Sequence, residues 1–246
     1  MYTNFSQVYE EKIKEDIDYE DYHMFIANLL KKYLPGTDAL LDIGAGTGLA
    51  SYALRSEFKT LTLAEPSAEM LALARERFEP PFKPVFLNIG ADTVVRANGF
   101  NVIIAAYDVL NYLEPAAIQS FFENAYRQLR ENGLLIFDHS TTHKLKTVFG
   151  SNIYVYDDED YFHVWENTEE AAGINITINA FKKTGKFYDR ITEEQFMRFV
   201  HQADLMDSAK TAGFNVLEIK DDYSETEFHT TSFRAVYVMR KEIGNG

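Results

Sequence analysis

The chain has 246 residues, 24 Lys and Arg against 38 Asp and Glu, a formal charge of −14 and no cysteine. That length buries one elaborated domain or a domain with a lid, and the acid excess repels a phosphate backbone, so a nucleic-acid partner is not expected. Without cysteine there are no disulfides, thiolate nucleophiles or cysteine-ligated iron–sulfur clusters. The basic runs, Lys144 to Lys146 and Lys182 to Lys186, are short. The opening MYTNFSQVYEEKIKED has no apolar signal core, and no apolar stretch approaches the roughly 20 residues that span a bilayer. A cytoplasmic protein with no membrane partner is the expectation.

Residues 5 to 34 carry a helical stripe through Tyr19, Tyr22, Phe25, Ile26, Leu29 and Leu30, which Pro35 and Gly36 end. Leu40 to Leu49 then reads LLDIGAGTGL: an apolar strand, an acid at Asp42, and glycines at Gly44, Gly46 and Gly48 before a helix. Glycine admits positive φ and carries no Cβ, so such a turn offers bare main chain to a ligand. Glu65 ends the next strand, Leu61 to Ala64, nineteen positions after Gly46, where a carboxylate meets ribose hydroxyls. A dinucleotide fingerprint needs GxGxxG with its third glycine against the pyrophosphate. Leu49 takes that place here, which disfavours a nicotinamide oxidoreductase.

Leu49, Tyr52 and Ala53 form the inner face of the following helix, and Ser67 is placed to cap the next, with Met70, Leu71, Ala74 and Phe78 on one side. Pro80, Pro81 and Pro84 bracket a loop before a third strand, Val85 to Asn88. Phe100 to Ala106 is nearly all apolar, as in a parallel strand covered on both faces. It runs into Tyr107, Asp108, Val109, Leu110, Asn111 and Tyr112, at the strand end where doubly wound sheets place reacting groups. Pro115 opens a helix through Ile118, Phe121, Phe122, Ala125 and Leu129, with Asn132–Gly133 as its expected stop. Leu134 to Phe137 is the fifth strand, and Asp138, His139 and His143 follow at an end expected to open on the same cleft. His139 and His143 lack a third ligand, so no metal is expected; His139 reads as a hydrogen-bonded loop histidine or as a general base.

From 145 to 200 the pattern changes to period two: Ile174, Ile176 and Ile178 alternate with Asn175, Thr177 and Asn179, and Lys182 to Lys186 carries a glycine turn. With Tyr154 to Tyr156, Tyr161 to Trp165 and Gln195 to Val200 this predicts a small antiparallel sheet. Trp165, Tyr161, Tyr188 and His201 either line an acceptor pocket or form the core of that sheet. From Leu205 the α/β pattern returns: a helix to Ala212, Val216 to Ile219 and Phe233 to Met239.

The DIGAGTG run over Asp42 to Gly48, with Glu65 and the YDVLNYL loop, resembles the class I S-adenosylmethionine-dependent methyltransferases. KLKTVFG and DDEDYFHVWEN resemble a bacterial subgroup with a small β lid after strand five. The resemblance implies an α/β, doubly wound, Rossmann-like seven-stranded sheet in the order 3-2-1-4-5-7-6, last strand antiparallel, with a small antiparallel lid. It implies a division into a helical cap over 1–36, a cofactor domain over 37–144 and 202–246, and a lid over 145–201. S-adenosylmethionine is the implied cofactor, with Gly44, Ala45 and Gly46 along its methionine half, Asp42 at the ammonium, and Glu65 with Pro66 at the ribose. Met70 falls at adenine or in the core, and Ala106, Tyr107 and Asn111 fall beside the sulfonium. Tyr9 closes over the cofactor or simply packs. The family's usual adenine-reading acid is Gly90 here, leaving Asp92 or the backbone around Ala91 for that task. Asp108, Tyr112 and His139 are the catalytic candidates. The loop has no paired prolines of the NPPY or DPPY type, and the lack of cysteine excludes radical chemistry. The implied activity is methyl transfer to an O, N or C nucleophile of a small-molecule acceptor. The alternatives are a catalytically silent cofactor-binding module and an RNA-directed methyltransferase.

Overall fold

The computed structural model describes residues 18–33, 37–157 and 161–241. Tyr9, Pro35, Gly36 and the first part of the expected 5–34 helix lie outside the described residues. Helix α1, Tyr19–Tyr33, begins where the Asp18 carboxylate accepts the Glu20 and Asp21 amides at 2.9 and 3.0 Å. It lays Tyr22, Phe25, Ile26, Leu29 and Leu30 onto the sheet.

Strands β1 (Ala39–Ile43), β2 (Thr60–Ala64), β3 (Val85–Leu87), β4 (Phe100–Ala105) and β5 (Leu129–Ser140) alternate with helices α2 (Leu49–Ala53), α3 (Ala68–Arg77) and α4 (Pro115–Gln128). Helix α5, Gln202–Ala212, leads to β10 (Phe214–Asp221) and β11 (Arg234–Lys241). The seven strands lie in the order β10-β11-β5-β4-β1-β2-β3, the expected order once the four intervening strands are passed over. Only β11 runs against its neighbours. Alternation splits the central strands between two cores: Leu41 and Ile103 pack with Phe121, Phe122 and Leu205, whereas Leu40 and Val102 pack with Tyr22, Leu54 and Leu63. Full burial of each such side chain contributes about 1.5–3 kcal/mol.

Asn132–Gly133 does not stop α4, which ends at Gln128. Its terminal carbonyls, Arg127 O and Gln128 O, accept the Asn98 and Gly99 amides at 2.9 and 2.8 Å, and the chain passes directly into β5. Asn132, at φ 61°, sits where the β4–β5 register slips, so the turn signal is a bulge within a strand rather than a helix end.

The second sheet has four antiparallel strands in chain order, β6 (Ile153–Asp157), β7 (Tyr161–Glu170), β8 (Gly173–Thr184) and β9 (Phe187–Arg198). It follows β5 after a helical stretch through Thr142–Lys144 and Leu145–Phe149. Its core gathers Leu145, Tyr161, Ile174, Ile176, Ile178 and Met197, with Trp165 packed against them. Tyr161 and Trp165 therefore belong to the core of this sheet, while Tyr188 and His201 are exposed. Among the described residues no helix is long and apolar enough to cross a membrane.

Candidate functional site

The crossover from β1 to α2 builds the floor of the site. Asp42, the fourth residue of β1, is 1% exposed, and its Oδ2 accepts the Ser51 hydroxyl at 2.6 Å. Burial, with Glu65 adding to it against the Ser51 bond, pushes the Asp42 carboxyl up to about 7. Gly44 has φ 71° and Gly46 φ 55°. A Cβ on Gly44 would lie 2.7 Å from a Val109 methyl, whereas one on Gly46 would meet nothing within 4 Å. The Glu65 carboxylate braces this turn: one oxygen accepts the Gly46 amide at 2.9 Å and the other the Ser67 amide at 2.8 Å. Burial raises the Glu65 carboxyl, and those two N–H bonds oppose the rise. Ser67 caps α3 as expected, accepting the Met70 amide at 3.2 Å.

Above this floor lies a cavity of about 710 Å³ counting its open mouth. Asp42, Gly44, Ala45, Gly46 and Glu65 line one side. Met70, Ala106, Tyr107 and Tyr112 line another, and Tyr19 closes in from α1. Tyr107 packs against Tyr19, Tyr22 and Tyr223, with ring centroids 5.4 to 5.6 Å away. The buried Tyr22 and Tyr107 hydroxyls have no hydrogen-bond partner among the described residues.

The loop after β4 is held by a network that has no local signature. Tyr107 and Asp108 both take positive φ, 60° and 73°, which costs ordinary residues about 1–2 kcal/mol each. Asp138 holds them there, its two oxygens accepting the Tyr107 and Asp108 amides at 2.6 and 2.7 Å. Arg234 Nη1 donates to Asp138 at 2.6 Å and to Asp108 at 2.8 Å, and the Tyr223 hydroxyl donates to Asp138. Burial works against the Arg234 charge, but Asp108 and Asp138 outweigh it and hold the guanidinium firmly protonated. Sequence reasoning missed Arg234 and Tyr223 because they lie 96 and 85 residues from Asp138.

Several expected positions fall elsewhere. Asp108 is turned from the cavity into this network, also accepting the Ser140 hydroxyl at 2.9 Å. Burial would raise its carboxyl, yet Arg234, Lys144 and the Ser140 hydroxyl hold it below the ordinary value, which makes it a poor base. His139 follows Asp138 on a strand and so points to the opposite face. It stacks on Tyr237, with Nδ1 3.0 Å from Ser140 O and Nε2 3.3 Å from the Tyr237 hydroxyl, and burial lowers its pKa. Asn111 is fully buried, donating to Ser140 O and Arg198 O and accepting the Ser140 amide, so it joins the two sheets rather than facing the cavity. Pro66 is exposed, and its carbonyl accepts from Asn88 Nδ2 at 2.9 Å. Asp92 is exposed with its side chain over Gly90, and Ala91 packs toward the core on the α4 side. Of the catalytic candidates, Tyr112 borders the cavity. Among the described residues no group of three or more His, Asp or Glu is placed to hold a metal ion.

The cavity thus offers two buried carboxylates, open main chain at Gly46 and, on Tyr107, a buried hydroxyl without a partner among the described residues. This donor and acceptor set suits a ligand carrying a cation, a carboxylate and ribose hydroxyls. Residues 40–133 match the methyltransferase domain family model. A methyltransferase-named protein of Geobacillus sp. (strain WCH70) is 28% identical over 98% of this chain and 99% of its own length. The crystal structure of an S-adenosylmethionine-dependent methyltransferase from Clostridium acetobutylicum ATCC 824 superposes with a TM-score of 0.90 at 28% identity, covering 97% of this chain and 98% of that one. The S-adenosylmethionine-bound structure of CalS10, an amino pentose methyltransferase from Micromonospora echinaspora, has a TM-score of 0.75 at 16% identity and covers 98% of both chains. Domain match, strand order and these likenesses agree: the chain is an S-adenosylmethionine-dependent methyltransferase of class I.

Proposed function

We propose that this enzyme methylates an oxygen, nitrogen or carbon nucleophile of a small-molecule acceptor that enters between the cavity and the inner face of the four-stranded sheet. One observation carries the reading: Tyr112 borders the cavity while its hydroxyl donates to Gln195 Oε1 on β9 at 3.1 Å. Donor cavity and lid sheet therefore meet at the Tyr112 side chain.

In this reading Gly44, Ala45 and Gly46 present main chain to the methionine half of the cofactor, Asp42 takes its ammonium, Glu65 its ribose, and Met70 borders adenine. When bound, S-adenosylmethionine supplies an electrophilic methyl group on a cationic sulfur that departs as a neutral thioether. The protein's task is then alignment and exclusion of water, and orientation alone supplies about 7–11 kcal/mol. Asp138 and Arg234 keep Tyr107 in place at the cavity wall, and Tyr112 offers a hydroxyl to the incoming acceptor. CalS10, by its name, acts on an amino pentose, a small molecule. The charge of −14 disfavours RNA.

The test is incubation with methyl-labelled S-adenosylmethionine and, separately, a low-mass metabolite extract or total RNA. Label in a low-mass product is expected; label in RNA would overturn the reading.

A further inference from the structure

Residues directly paired across antiparallel strands share a face. Asn167 on β7, Ile176 on β8 and Gln195 on β9 therefore form one row across the lid sheet. The amides at the two ends of that row are 4% and 5% exposed, and each is only half used. Gln195 Oε1 accepts from Tyr112, but its Nε2 has no partner among the described residues. Asn167 Nδ2 donates to Phe149 O at 3.2 Å, and its Oδ1 has none. Buried polar atoms left this way are uncommon and point to a missing partner.

Gln195 is the end of the row that reaches the donor cavity, through Tyr112. Glu193, two residues earlier on β9 and so on the same face, is 7% exposed. The face that carries the amide thus also carries a carboxyl group, in a chain with a large acid excess.

Resting on the reading that the acceptor enters beneath this sheet, we propose that Gln195 is an acceptor-specificity residue. Its amide N–H groups hold a hydroxyl or carbonyl oxygen of a neutral or cationic acceptor, and the neighbouring Glu193 turns away carboxylates and phosphates. Asn167 extends the same strip for a second hydroxyl. The implied acceptor class is a hydroxylated small molecule, such as a polyol or an amino alcohol, rather than an organic acid.

The experiment uses the full chain saturated with S-adenosylhomocysteine and reads binding of myo-inositol, glucosamine and glucuronate at millimolar levels by saturation-transfer difference NMR. Wild type is expected to give signals with inositol and glucosamine and none with glucuronate. Gln195→Leu, which keeps the bulk, should weaken both by about tenfold, and Gln195→Glu, which keeps an acceptor for Tyr112 but loses the donors, should weaken the neutral inositol by as much. Both variants should bind S-adenosylhomocysteine as wild type does, which shows that they are folded. The proposal is overturned if neither neutral nor cationic probe binds, if glucuronate binds as well as glucosamine, or if both variants bind the probes like wild type. None of these results depends on where a labelled methyl group lands, so this proposal and the small-molecule reading fail separately.

Discussion

Arg234 Nη1 lies 2.6 Å from Asp138 Oδ1 in a pair whose side chains are 10% and 0% exposed. The two residues sit on adjacent strands, β11 and β5, and the same guanidinium reaches Asp108. Removing the cation would leave two buried carboxylates facing each other, and breaking a buried pair from one side costs on the order of 3–5 kcal/mol. Arg234→Ala is expected to lose that much in urea unfolding. Arg234→Lys should recover only part of it, because an ammonium cannot reproduce the planar fork. A loss below about 1 kcal/mol in Arg234→Ala would mean that water, not the protein, solvates this network.

That network also marks where sequence reading stops. The glycine turn, the Ser67 cap and the period-two lid are written in neighbouring residues, so they were legible. Asn132–Gly133 was legible as a point of positive φ but not as a bulge, because only pairing with β4 separates a bulge from a helix stop. Asp108 and His139 carry the right functional groups for acid–base chemistry. One is claimed by Arg234 and the other by the pleat that turns it toward Tyr237, and both causes lie across the sheet. Gln195 looked like an ordinary strand residue until its row on the lid placed it beside Tyr112.

Asp42 should make stability and binding respond to pH in opposite senses. Its folded value of about 7 exceeds the ordinary 3.8. Between these values the folded chain keeps a proton that the unfolded chain has released. The stabilisation from this group is thus complete below the ordinary value and is lost as pH rises through about 7. Relative to Asp42→Asn, the ligand-free protein should lose up to about 1.4 kcal/mol per pH unit across that window. Ammonium binding needs the charged form, so calorimetric affinity for S-adenosylhomocysteine should rise through the same range in wild type and stay flat in Asp42→Asn. Parallel profiles for the two proteins would remove Asp42 from the ammonium.

Gly44 and Gly46 differ in what a methyl group would meet, which separates folding from binding. Gly44→Ala drives a Cβ against Val109 and strains a positive φ, so its main effect should be a drop in melting temperature. Gly46→Ala meets no protein atom within 4 Å and carries only the strain, about 1–2 kcal/mol. Its methyl group lies on a residue lining the cavity, where the cofactor's main-chain contact is proposed. Affinity for S-adenosylmethionine should therefore fall by at least about tenfold in Gly46→Ala, with less thermal destabilisation than in Gly44→Ala. Equal affinity in wild type and Gly46→Ala would show that the ligand does not approach this stretch of backbone.

Glu65 does two things that its substitutions pull apart. Its oxygens anchor the Gly46 and Ser67 amides, and in the proposed complex they also receive the ribose hydroxyls. Glu65→Ala removes charge-assisted bonds of both kinds and is expected to weaken S-adenosylmethionine binding by about 1–3 kcal/mol. Glu65→Gln keeps one oxygen for an amide but replaces the other with a donor, so one backbone N–H is left facing an NH₂ group. It should weaken adenosine and S-adenosylmethionine alike, since both carry the ribose. Isothermal titration with each ligand checks this, and an unchanged adenosine affinity in both variants would place the ribose away from Glu65.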